Sequence, residues 1–231
     1  MKLIFTLILT LSLAACKTTT VSKQEAFPKL YNEKPSSILV LPAVNNTTAA
    51  DAAALYSTTI AQPLAEAGYY VFSIPYTKEF FNAQGIVDGA QLKQIPLERF
   101  KQAFGADSVL FVNINQWDTN YYVTGGDVTV GAHFELVSTT TSDKIWQYND
   151  VIVHNTSGNS GNLLADMIAT AISTAIVDYV PIAKTVNQRI VNTIPVGKYH
   201  KKHGKDQKEA GIILQRVNAG KPEKSTDTSA D

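Results

Sequence analysis

One cysteine among 231 residues is the first scarcity, and it excludes a disulfide framework and any multi-cysteine metal site. The chain also lacks an excess of either charge. Twenty lysines and arginines face twenty aspartates and glutamates, so no basic stripe for nucleic acid is written into the composition. The opening apolar run, residues 3–13, falls well short of the roughly 20 residues that span a bilayer. The chain contains no G-x-S-x-G elbow, no H-E-x-x-H, no P-loop and no G-x-G-x-x-G. What is present is ordinary for a folded domain: 45% apolar and 17% charged residues, enough to bury one core.

The first residues set a compartment. Met1-Lys2 is a short positive start, the run 3–13 has the length of a signal-peptide core, and Leu13-Ala14-Ala15-Cys16 follows. A hydrophobic residue, two small ones and a cysteine resemble the bacterial lipobox. The resemblance implies cleavage between Ala15 and Cys16, a diacylglycerol thioether on the Cys16 sulfur and an acyl chain on its new amino group. A thiol is needed because it is the nucleophile that takes the lipid. Several acyl chains hold a protein on a membrane stably, so the protein is expected to be anchored rather than spanning. Lys17 stands where aspartate favours inner-membrane retention in enterobacteria-like sorting. It therefore points to the outer membrane, with the domain facing the periplasm.

Four regions are expected: a signal peptide over 1–15, a lipidated tether over 16–34, an α/β periplasmic domain over 35–195 and a charged flexible tail over 196–231. Phe27, Leu30 and Tyr31 are the tether residues expected to touch the domain. Residues 37–41 form a continuous apolar run, the mark of a strand buried on both faces. Asp51 is placed to cap an alanine-rich helix, Pro63 to kink it and Gly68 to end it. A second strand is expected over 69–74, short helices over 77–83 and 96–104, and a third buried strand over 109–114. Two long alternating strands, 121–137 and 144–154, should pair as a hairpin, with Val128, Val130, Ala132, Phe134 and Leu136 on one face. An amphipathic helix over 162–180 should end at Pro181, and a further helix should run from there to about residue 192. The tail from residue 198 carries eight lysines or arginines against five acids. The fold class is α/β (α+β): one mixed sheet of about five strands with helices packed on it.

Few residues suggest chemistry. His133 and His154 lie on the two arms of the expected hairpin, and Glu135 shares a face with His133; metal binding would need all three to converge. His200 and His203 flank two lysines, which disfavours a metal ion. Asp107 and Asp118 cannot be paired from the sequence. No catalytic residue, metal site or cofactor is expected beyond the lipid on Cys16. Two candidate surfaces remain. The loop Asn45-Asn46-Thr47 leaves a buried strand towards a helix, where open α/β sheets bind ligands, although its side chains could equally cap the turn. Trp117, Tyr121, Tyr122 and Trp146 suit either an interface or the core. Residues 117–126 lie around the junction between the third strand and the first long one, and Tyr121 and Tyr122 there are the candidate interface.

The segments 34–47 (KPSSILVLPAVNNT), 63–72 (PLAEAGYYVF) and 95–107 (IPLERFKQAFGAD) resemble a proteobacterial family of lipoproteins without an assigned biochemical function, the neisserial surface-antigen candidate type. The resemblance covers about residues 30–195. It implies a fold similar to the TolB N-terminal domain and to CsgG-type secretion lipoproteins. It also implies action beside other envelope lipoproteins, a CsgG-like one among them, and transfers no catalytic residue. The resulting expectation is an outer-membrane lipoprotein serving as an interaction module in an envelope or secretion-associated assembly, with a homodimer through a sheet edge as a further partner. A small-molecule or glycan-binding lipoprotein using the Asn45–Thr47 loop is the rival.

Overall fold

The computed structural model describes residues 20–122, 125–155 and 179–213. Ala15, Cys16, nearly all of the expected helix over 162–180 and the end of the tail lie outside them. The fold starts from β2 (Ser37–Val40), whose four residues are all buried. Ile38 and Val40 enter one apolar core, and Leu39 and Leu41 enter a second on the opposite face. A strand with no polar face must be covered on both sides, and helices do so here.

β2 pairs in parallel with β4 (Tyr70–Val71) on one side and β5 (Ser108–Tyr122) on the other. β5, β6 (Gly125–Ser138) and β7 (Lys144–Asn155) form an antiparallel meander. The sheet runs β4-β2-β5-β6-β7, and β3 (Val44–Asn45) lies beside β5 as a sixth strand. Val128, Val130, Ala132, Phe134 and Leu136 of β6 are 3% exposed or less and share one core. That core is covered by α3 (Ala52–Ser57), α4 (Ala61–Glu66) and α8 (Tyr179–Thr193). The second core lies under α5 (Ile74–Asn82), α6 (Gly89–Leu92) and α7 (Leu97–Phe104), through Phe81, Leu92 and Phe100.

Several elements depart from expectation for identifiable reasons. The strand expected over 69–74 stops at Val71, because Pro75 suits the first turn of α5 and cannot donate to a ladder. The strand expected to end at Ile114 continues to Tyr122 through a bulge between Ile114 and Gln116. The bulge shifts the alternation by one residue, so Trp117 follows Val112 and Ile114 into the core and the sequence alternation breaks there. Residues 117–122 are therefore strand rather than connection. The alanine-rich helix breaks at 58–60, before Pro63, which then sits in the first turn of α4. Asp51 precedes α3 but makes no side-chain cap. Pro181 lies within α8, which runs to Thr193 as the further helix expected there.

The chain ends contribute more than expected. Within the presumed tether, β1 (Thr20–Ser22), α1 (Lys23–Ala26) and α2 (Pro28–Glu33) are structured, and Phe27 and Leu30 are core residues. Residues 196–213, expected to open a flexible tail, fold back on the domain. Gly197 and Tyr199 donate backbone hydrogen bonds to Ala67 and Gly68. β8 (Ala210–Ile213) pairs antiparallel with β1.

Candidate functional site

β4 and β5 lie on opposite sides of β2, so the chain leaves β2 in one direction and returns on the other. The helices between β2 and β4 cover one face, and those between β4 and β5 cover the other. Such a reversal opens a crevice outside the carboxyl end of the central strand. A cavity of about 310 Å³ occupies that place. Val40, Leu41 and Pro42 form its floor, alanines of α3 one wall, and Ile74, Lys78 and the Val87–Gly89 corner the other. Gly89 is required at that corner: a Cβ there would stand 2.2 Å from the Pro42 carbonyl oxygen. Asp88 starts α6 by accepting from the Ala90 amide at 2.8 Å, and Gln91 returns a bond to the Asp88 amide. Lys78 is exposed on the rim and forms no ion pair among the described residues. Lys78 and Asp88 were not anticipated; only the packing of α5 and α6 against β2 brings them into the same cavity lining as Asn45.

The Asn45–Thr47 loop borders this crevice, but its polar groups bond to one another. Asn45 donates to the Ala49 carbonyl at 2.6 Å, and its Oδ1 accepts from the Thr47 amide and hydroxyl at 3.0 and 2.7 Å. Asn46 donates to the Asn115 side chain at 3.0 Å. Of the three, Asn45 lines the cavity. Trp117 and Trp146 are 3% and 1% exposed and belong to the core. Tyr121 and Tyr122 end β5, and their side chains lie outside the described set.

Register keeps the two hairpin histidines apart. His133 faces Asn149 and His154 faces Val128, so the two histidines are not cross-strand neighbours. His133 instead hydrogen-bonds Asn149 through Nδ1, and its Nε2 lies 3.3 Å from Glu135, which also takes Lys144 at 2.9 Å. The hydrogen bond to Glu135 raises the His133 pKa against the opposing effect of burial. The same bond, with Lys144, lowers Glu135 to about 2. No group of three metal-ligating side chains occurs among the described residues. Asp107 is structural: burial would raise its pKa, but its Oδ2 accepts four hydrogen bonds from Ser36 and Ser37, and the balance is downward. Asp118 is exposed on β5.

Residues 26–197 match the model of the GNA1162-like lipoprotein family, most of the chain. The chain belongs to this family. A family relative, the lipoprotein NMB1124/NMB1162 of Neisseria meningitidis serogroup B, is 28% identical over 171 residues, 74% of this chain and 79% of the relative. The crystal structure of lipoprotein GNA1162 from Neisseria meningitidis superposes with a TM-score of 0.51 at 31% identity, over 60% of this chain and 96% of that one. A PelC dodecamer from Paraburkholderia phytofirmans gives a TM-score of 0.38 at 18% identity, over 64% of this chain and 88% of that one. The α+β architecture is thus that of a lipoprotein family, and β2 with its flanking helices lies inside the matched region.

Proposed function

We propose that this lipoprotein is anchored in the outer membrane by lipid on Cys16, and that its domain works in the periplasm by binding proteins rather than by catalysis. Its partners are other envelope lipoproteins of a secretion- or transport-associated assembly, a CsgG-like one among them, or a second copy of the chain. One observation carries the interaction reading. β7 is the last strand of the sheet, and Val151 and Val153 on its outward side are 51% and 62% exposed. Two neighbouring apolar side chains on a terminal strand form a surface that a partner can cover. The test is crosslinking in intact cells, then detergent extraction and mass spectrometry. A discrete complex with envelope lipoproteins is expected, reduced several-fold by Val151→Lys with Val153→Lys. A monomer band alone would sink the reading.

The crevice favours a second reading, a small-ligand-binding lipoprotein. Its volume of about 310 Å³ is at the lower bound for small-molecule sites, and Asn45 borders it. Ala54→Trp, on the exposed side of α3, would fill it. A metabolite or glycan fragment that raises the thermal midpoint of the native chain and not of Ala54→Trp would establish this reading.

A further inference from the structure

We propose that residues 198–208 form a cationic platform that lies on an anionic lipid surface beside the anchor. This goes beyond the partner-binding reading and rests on the membrane-anchor part of it. The segment carries Lys198, Lys201, Lys202, Lys205 and Lys208. Its two nearest acids are already engaged. Asp206 is fully buried, accepts from the Val196 amide at 2.9 Å and lies 3.8 Å from Lys23. Glu209 takes Lys202 at 2.8 Å and Lys23 at 3.5 Å. Lys198, Lys201, Lys205 and Lys208 are exposed and form no ion pair among the described residues. Tyr199 stands among them at 66% exposure, with the Lys198 ammonium 5.9 Å from its ring centre. Exposed tyrosine with lysine is the composition of a membrane–water interface.

Charge alone would not choose a membrane; position does. β8 follows directly and pairs with β1, setting Ala210 opposite Ser22 and Ile213 opposite Thr20. Lys23 and Gln24 add backbone bonds to the carbonyls of Glu209 and Gln207. The platform is thereby fastened to the part of the fold nearest the lipidated residue. Cys16 precedes Thr20 by four residues, so whatever their conformation the span is at most about 14 Å. A tether that short lets the basic groups settle onto anionic headgroups, where the surface potential acts over roughly a Debye length of 8 Å at physiological salt. Two weak attachments on one rigid body reinforce each other, and the second would fix the orientation of the domain above the bilayer.

The test uses the mature chain with Cys16→Ser, which carries no lipid, and sedimentation with vesicles. Vesicles of phosphatidylethanolamine with phosphatidylglycerol should bind it, phosphatidylcholine vesicles should not, and high salt should release it. Replacing Lys198, Lys201, Lys205 and Lys208 by Gln should lower the partition roughly a thousandfold, and replacing them by Arg should keep it. Matching thermal midpoints for both variants would show that folding is unchanged. Equal binding by the Gln variant, equal binding to phosphatidylcholine, or retention by peptidoglycan sacculi without vesicle binding would each overturn the proposal. The anchor reading fails differently: the lipidated wild type would then wash from cell membranes in high salt.

Discussion

Lys23 is 3% exposed, a rare place for a lysine. It stays because Asp206, Glu209 and the Ile194 carbonyl surround its ammonium, the last at 3.3 Å. Removing one member of such a group strands the other charge in the interior. Lys23→Met should therefore destabilise the fold by about 3 kcal/mol, read by urea unfolding, and Lys23→Met with Asp206→Leu should recover part of that loss. Histidine 133 offers a pH test. Its folded pKa is raised, so its contribution is complete below about 6.5 and disappears as pH rises through the folded value. Glu135 is depressed to about 2, so its contribution is present above the ordinary carboxylate pKa and is lost as pH falls towards 2. The pair is strongest between those limits. NMR titration should place the His133 midpoint above 6.5, and Glu135→Gln should bring it down; an unchanged midpoint would contradict the pairing.

At the scale of elements, glycines separate two kinds of constraint. Gly105 ends α7 with φ +70°, and a Cβ there meets no atom within 4 Å. Gly105→Ala should cost about 1 kcal/mol, the backbone strain alone. Gly89 has ordinary φ but presses α6 against the Pro42 carbonyl. Gly89→Ala should cost more than Gly105→Ala, because a backbone oxygen cannot move aside as a flexible side chain does, and it should also reshape the crevice. Thermal unfolding of the two variants gives the comparison. A second inter-element tie is the buried set in which Tyr56 of α3 donates to Asn187 of α8 and Asn187 donates to Thr59 at 2.8 Å. Asn187→Leu would take the acceptor from the buried Tyr56 hydroxyl, while Thr59 keeps its bond to the Tyr56 carbonyl, and should destabilise by about 2 kcal/mol. Much at this scale was legible. The run 37–41 and the alternation along β6 each announce a face, because burial of successive or alternate residues is a local pattern. The bulge between Ile114 and Gln116 was not legible, since it depends on what the neighbouring strand can accept; the early end of β4 was written locally in Pro75.

For the whole molecule, the lipid and the fold should be separable. Cys16→Ala is expected to release the chain from membranes while its circular dichroism and thermal midpoint stay those of the mature protein. Retention of Cys16→Ala in the membrane fraction at high salt would count against the anchor. The sheet edge, the crevice and the platform then belong to one body. Covering β7, filling the crevice and neutralising residues 198–208 are three separable perturbations of it.

The sequence by itself determined the family, the α+β class, the doubly buried strand β2 and the face of β6 that enters the core. These rest on patterns a few residues long, and hydrophobic periodicity records them directly. Only the tertiary structure decided that His133 meets Glu135 and Asn149 rather than His154, that Lys78 and Asp88 line one cavity with Asn45, and that residues 210–213 return to β1. Lys23 reaches Ile194 across 171 positions. No local pattern encodes a contact of that separation; it exists because β1 pairs with β8 and sets the buried Lys23 beside Asp206 and Glu209.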